Sequence, residues 1–401
     1  MKYIVILCDG MADEPLEELG GRTPLEAART ENMGRLAKSS EIGMVQTVPD
    51  GMAPGSDTAN LSVIGYDPRK YYTGRSPLEA LSIGAPMEPS DVSFRCNLVT
   101  LSEEEENYED RHILDHSSDE ISTEEAAELI RALSEGLKRD GYTFYVGTSY
   151  RHLLIQKNGT VVELTAPHDI LTKRIGEYLP EDEVLREMMI KSYDILKDHP
   201  INVKRRAEGK NPANSAWFWG AGTRPMLTSF EEKNGVKGAM ISAVDLLKGI
   251  AAGAGMHNII VEGANGGLNT NYSGKAEAAV KALTEDGFDF VYVHIEAPDE
   301  MGHQGSVERK IQAIENIDEK IIGPVNRTLD AEGTAYRMLI LPDHPTPIRV
   351  RTHTSDPVPY LLYDSTKAMD GMDTYSEKTG RETGIFEKEG YHLIDHLLSV
   401  K

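Results

Sequence analysis

The sequence predicts an α/β fold, a doubly wound and mostly parallel sheet with a smaller α+β domain inserted into it. Three observations carry that expectation. Short, continuously apolar runs recur at "YIVILCD" (3–9), "NIIVEG" (258–263), "FVYVHIEA" (290–297) and "RMLILPD" (337–343), as strands buried on both faces require. Helical patterns alternate with them, including "GKAEAAVKALTEDG" and "SVERKIQAIENIDEKIIGPVNRTL". In the latter, Ile311, Ile314, Ile317 and Ile321 fall near one helical face. That alternation implies a parallel sheet covered on both sides. The third observation is a change of rhythm in the middle of the chain.

In chain order, "YIVILCD" is a first strand ending at Asp9-Gly10. "TPLEAART" and "ENMGRLAKSS" read as helix pieces and "GMVQTV" as a strand. "PGSDTANLSVIGYDP" (54–68) then opens a helix at Ser56. The middle holds strand-like "FRCNLVTL", "YTFYVGT" and "RHLLIQKNGTVVELTA", with a hairpin expected at Asn158-Gly159. Two long helical patterns accompany them, "STEEAAELIRALSEGLKRDG" and "EDEVLREMMIKSYDILKD". The expected division is a core of residues 1–75 and 206–401, interrupted by an α+β insertion at 76–205.

The 401 residues carry a formal charge of −23, which argues against a nucleic-acid or anionic-membrane binder. An anionic substrate would then need locally concentrated cations, as metals or arginines. Cys8 and Cys96 both sit in apolar runs and read as buried free thiols of a reducing compartment. The N-terminal run is too short for a secretory signal, and no stretch is long and apolar enough to span a membrane. A cytoplasmic protein is expected. The acidic run "SEEEENYED" reads as a solvated loop.

Ligands of open α/β sheets lie beyond the carboxyl ends of the strands. Asp9 ends the first strand, and Asp299 with His303 follows "VYVHIEAP". Asp343 and His344 end "RMLILPD", His353 follows in "RVRTHTSDPVP", and Ser56 starts its helix. Each alone has a bland reading, as a turn former, a helix cap, an exposed i,i+4 pair or a structural donor. Together they form a mixed oxygen and imidazole set suited to Mn²⁺, Zn²⁺ or Mg²⁺. Seven side chains exceed the needs of one ion and suit two. Two divalent ions bring four positive charges against three carboxylates, and an ionised Ser56 would balance the fourth.

With those residues in place, the chain resembles a known family. "CDGMAD", "PGSDTANLSVIGYDP", "YYTGRSPLEA", "FRCN", "NVKRRAEGKNPAN", "DEMGH", "PDHPTP" and "RTHTSDPVP" resemble the archaeal-type, cofactor-independent phosphoglycerate mutases of the alkaline phosphatase superfamily. The resemblance implies an alkaline phosphatase-like core and two divalent ions, Mn²⁺ foremost, with no 2,3-bisphosphoglycerate. It implies that Asp299, His303 and His353 hold one ion, and Asp9, Ser56, Asp343 and His344 the other. Ser56 would accept the phosphoryl group of 3-phosphoglycerate and return it to the other hydroxyl, while the insertion closes as a lid. Arg75, Arg95 and Arg151 would anchor the substrate; the bland alternative for each is a surface salt bridge. A small phosphorylated substrate is the expected partner, and a homo-oligomer is left open.

Two departures keep rivals open. Many mutases of this family carry arginines where this chain has "HILDHSSDEIS", and a lysine where it has Glu296. "DHSSDEISTEEA" and "HIEAPDE" resemble a mutase-like branch proposed to act as homoserine kinases. A metal-dependent phosphatase and a metal-stabilised binding protein are further readings. "GGLNTNYSGK" has the wrong spacing for a phosphate-binding loop of the GxxxxGK[ST] type, which excludes that class of kinase.

Overall fold

The computed structural model describes residues 1–399. Its strands, in chain order, are β1 (Lys2–Cys8), β2 (Glu41–Val45), β3 (Val92–Leu101), β4 (Ile113–Asp115), β5 (Tyr142–Thr148), β6 (Arg151–Gln156) and β7 (Ser215–Thr223). There follow β8 (Gly238–Ile241), β9 (His257–Ile259), β10 (Phe290–Ile295), β11 (Tyr336–Leu341), β12 (Val358–Asp364) and β13 (Phe386–Glu387). The chain divides into two compact units, Met1–Tyr72 with the chain from Leu227 on, and Thr73–Met226.

The first unit is built on one sheet of order β13-β2-β12-β11-β1-β10-β8-β9. β1 pairs in parallel with both β10 and β11, and β8 continues the parallel set to β9. β12 is antiparallel to β11 and β2, so the sheet is parallel at its centre and mixed towards one edge. Ile4, Ile6 and Cys8 of β1 are fully buried in a cluster with Ala279 and Leu283 of helix Tyr272–Thr284 and Ile314 and Ile317 of helix Val307–Ile317. Ile311 on the latter helix is only half-buried. Both cysteines are free and buried, and burial pushes both thiols well above their ordinary pKa. Among the described residues, no helix is long and apolar enough to cross a membrane.

The second unit is an antiparallel sheet, with β3 paired to β4, β6 and β7, and β6 paired to β5. Helices Thr123–Gly136 and Glu183–Leu196 bury Leu129, Leu133, Leu185 and Met188 against Phe94 and Cys96. Ser122 and Asp182 cap these helices through their side chains, as their place before an amphipathic run predicts.

Three expectations require correction. "NIIVEG" contributes only the short edge strand β9, whose residues are half-buried or exposed, because among the described residues nothing pairs with its outer side. The return boundary lies after Met226, not at Arg205, because β7 runs along β3 from Val99↔Ser215 to Val92↔Thr223. The other boundary falls after Tyr72 instead of Arg75. The hairpin at Asn158-Gly159 does not form. Both edges of β6 are already taken by β3 and β5, so "TVVELT" has no edge to join. The hairpin of this region is β5–β6, closed where Thr148 faces Arg151.

His152 on β6 is enclosed, accepts the Gly147 N–H at Nδ1 (3.0 Å) and has no hydrogen-bond partner for Nε2. Burial lowers its pKa to about 4. The unfolded chain therefore binds the extra proton between roughly pH 6.5 and pH 4, and stability falls as pH falls through that window. On the order of 2 kcal/mol should be lost between pH 7 and pH 5. Urea unfolding at the two pH values should show this loss, and should show it diminished in His152→Gln.

Candidate active site

Register places the site. Cys8 pairs with Ile295 and Leu7 with Leu341, so three adjacent parallel strands end level with one another. The next residues of each are Asp9, the Ala297–His303 helix bearing Asp299 and His303, and the Asp343-His344 pair. Asp9, Asp299, Asp343 and His344 are all buried. His353 arrives from the segment between β11 and β12.

Ser56 settles its own ambiguity. Gly55, in extended conformation, occupies the N-cap of helix Ser56–Ile64, and no side chain caps it. Ser56 is the first helical residue, and its Oγ lies 3.1 Å from His344 Nε2. The neighbouring Asp57 carboxylate accepts the Thr58 N–H at 2.8 Å.

His344 Nε2 also lies 3.4 Å from Asp343 Oδ2 and 3.6 Å from Asp9 Oδ1. Across the site, His303 Nε2 is 3.1 Å from Asp299 Oδ2 and 3.1 Å from His353 Nε2, and His353 Nε2 is 3.4 Å from Asp299 Oδ1. His303 Nδ1 faces the Arg351 carbonyl at 3.0 Å, which directs Nε2 at this cluster. The Asp299 carboxylate hydrogen bond raises His303 to about 9, against burial. Despite its own desolvation, Asp299 is held well below the usual carboxylate range by His303 and His353. Burial, then the charges of Asp343, Asp299 and Glu296, push Asp9 well above that range.

The donor set fits divalent cations. Asp9, Asp343 and His344 offer atoms within 4.8 Å of one another, as do Asp299, His344 and His353. Asp9 Oδ1 is buried with no hydrogen-bond partner, in a neighbourhood of other carboxylates. A buried carboxylate oxygen without a donor is costly, and a cation relieves it. Gly10 makes this close approach possible. It has φ +62°, and a Cβ there would lie 2.6 Å from Asp299 Oδ1 and from Thr346 Oγ1. Gly10→Ala is therefore expected to weaken Mn²⁺ binding by about tenfold or more, as titration of chelator-treated protein would show.

The structure thus brings together all seven residues of the expected metal set. Three further residues escaped the sequence. Asn60 Nδ2 donates to the Ser56 carbonyl and to Asp343 Oδ2, both at 2.8 Å, while its Oδ1 accepts from Tyr292 Oη. His294 Nε2 lies 2.8 Å from Asp9 Oδ2. Thr346 Oγ1 donates to Asp299. A usable signal existed in β10, where Tyr292 and His294 interrupt an apolar strand at period two.

The three arginines belong to the second unit. Arg95 is buried, with Nε 3.0 Å from Glu79 and its guanidinium 4.2 Å from the Trp219 ring centroid. Arg75 meets the same Glu79 at 3.3 Å, and Arg151 lies over the Tyr150 ring. Burial lowers Arg95, and the charges of Arg75 and Arg151 add to that effect. Two unforeseen histidines join this group, since His116 contacts the Tyr150 and His168 rings and His168 contacts Trp219. His116 precedes three successive non-glycine residues with positive φ, Ser118, Asp119 and Glu120.

A model of the 2,3-bisphosphoglycerate-independent phosphoglycerate mutase family matches residues 37–202. The probable 2,3-bisphosphoglycerate-independent phosphoglycerate mutase of Geobacter sulfurreducens is 48% identical over 99% of this chain and 100% of its own. This chain belongs to that family. The mutase of Methanosarcina barkeri is 46% identical over 100% of both chains. Among solved structures, the PH0037 protein from Pyrococcus horikoshii matches with a TM-score of 0.83 at 31% identity, covering 100% of this chain and 98% of that one. The cofactor-independent phosphoglycerate mutase from Thermoplasma acidophilum matches with a TM-score of 0.66 at 28% identity, covering 99% of each. The expected α/β fold is therefore that of the mutase family.

Proposed function

We propose that this protein interconverts 3-phosphoglycerate and 2-phosphoglycerate through a phosphoserine at Ser56. The observation that carries the reading is Ser56 Oγ against His344 Nε2, at the first turn of a helix and beside four buried metal-type ligands, in a chain of this family. Asp299, His303 and His353 would hold one divalent ion, and Asp9, Asp343 and His344, with Ser56 beside them, a second. When bound, Mn²⁺, Zn²⁺ or Mg²⁺ supplies positive charge that stabilises phosphoryl oxygens and favours loss of the serine proton.

The chain's own groups do the rest. Ser56 Oγ attacks phosphorus, the bond to the substrate oxygen breaks, and that oxygen takes a proton as glycerate is released into the site. Attack by the other glycerate hydroxyl reverses these events, so the phosphoryl group returns and no primer is consumed. The first turn of helix Ser56–Ile64 presents its positive pole to the phosphate. Asn60 fixes the serine backbone against Asp343. Arg75, Arg95 and Arg151 would hold the substrate's anionic groups.

The homoserine-kinase and phosphatase alternatives gain no support from the Geobacter sulfurreducens and Methanosarcina barkeri relatives, which carry the mutase name. An enolase-coupled assay with 3-phosphoglycerate and Mn²⁺, without 2,3-bisphosphoglycerate, tests the proposal. Formation of 2-phosphoglycerate is expected. Its absence with metal present, or homoserine-dependent ADP formation from ATP in a parallel assay, would overturn it.

A further inference from the structure

Asp9 has two carboxylate oxygens, and the protein commits only one of them. Oδ2 lies 2.8 Å from His294 Nε2, while Oδ1 has no hydrogen-bond partner. With a cation beside Oδ1, Asp9 is ionised, and a carboxylate accepts and does not donate, so Nε2 carries the proton. The ring is wholly enclosed, and in its neutral form Nδ1 is then an acceptor. Ser242 Oγ lies 3.1 Å from that Nδ1, and the same oxygen accepts the Val244 N–H at 3.0 Å.

Both ends of this chain have fixed polarity, a backbone N–H at one and a carboxylate at the other. The protons therefore run one way, from Val244 to Ser242, from Ser242 to His294, and from His294 to Asp9. Lys275 Nζ donates to the His294 carbonyl at 2.8 Å from helix Tyr272–Thr284, which ties down the end of β10. Neither Ser242 nor His294 belongs to the proposed ligand set.

We propose that Ser242 and His294 are positioning residues that set which oxygen of Asp9 meets the cation. The inference rests on the metal reading given above. His294 Nε2–H occupies Oδ2 and restrains the carboxylate, leaving Oδ1 as the single ligand atom. Ser242 fixes the tautomer that makes this possible. Without its hydroxyl, His294 loses the donor to Nδ1, and the tautomer that turns a lone pair towards Asp9 is no longer penalised. Partners of this kind, one bond beyond the ligand, change metal affinity by roughly 10–100-fold when removed.

The experiment uses full-length, chelator-treated protein titrated with Mn²⁺, the free ion being read by electron paramagnetic resonance and the fold by circular dichroism. Ser242→Ala is expected to bind one ion about tenfold more weakly, with its spectrum unchanged. Ser242→Thr, which keeps the hydroxyl, should stay within about twofold of wild type, and His294→Gln should lose at least as much as Ser242→Ala. Wild-type affinity in Ser242→Ala, or an equal loss in Ser242→Thr, overturns the positioning role alone. A wild-type protein that binds no Mn²⁺ overturns the metal reading and this inference with it.

Discussion

Ser56→Ala should abolish phosphoglycerate interconversion, by a factor on the order of 10⁴ or more, while leaving the melting temperature of the chelator-treated protein nearly unchanged. The two halves of that expectation have separate causes. The activity depends on Oγ, because the phosphoryl group must rest on an atom of the enzyme while glycerate reorients. The stability of the metal-free fold depends on it little. Gly55 holds the N-cap position without any side-chain cap, and Asn60 bonds the Ser56 backbone carbonyl, which alanine retains. Alanine also ranks above serine in helix propensity. Steady-state assay and a thermal melt measure the two halves. Acid quenching with phosphate-labelled substrate adds a third reading, with covalent label in the wild type and none in Ser56→Ala. Turnover by the variant above about one hundredth of wild type would sink the nucleophile assignment.

Removal of divalent metal should be nearly as severe and should act on stability as well. Asp9, Asp299 and Asp343 are buried just beyond the ends of neighbouring strands, and bound cations would relieve their mutual repulsion. An ion at 100 times its Kd adds about 2.7 kcal/mol to folding stability. Dialysis against a chelator is thus expected to eliminate turnover and to lower the melting temperature by about 5 °C or more. Both should return on adding Mn²⁺. Protein verified as metal-free that keeps full turnover would contradict the metal reading.

Most residues legible in the sequence lie at or just beyond the end of a recognisable strand, and Ser56 was legible as the start of a helix. "YIVILCD" and "RMLILPD" announce buried parallel strands by composition, and their last letters are Asp9 and Asp343. His294 and Asn60 were hidden for the opposite reason. One lies within a strand and the other within a helix, where a polar side chain has no local signature until its partner is known. β12 has no counterpart in the sequence reading, since "DPVPYLLYD" begins among prolines, which disfavour strand interiors. The false hairpin at Asn158-Gly159 shows the limit of turn chemistry. Asn158 does adopt a positive φ of 49°, as an Asn-Gly turn predicts, but a strand also needs a free edge.

For this protein, sequence by itself determined the alternation of strands and helices, the anionic bulk and the chemistry available at each strand end. These follow from residue type and short-range periodicity. Tertiary structure alone decided whether Ser56 caps its helix or faces His344. It also set the extent of the inserted unit through the β3–β7 pairing, and it selected which oxygen of Asp9 is left unpaired. Each of those outcomes depends on residues far apart in the chain, whose register and hydrogen-bond polarity are fixed only when the strands are laid side by side.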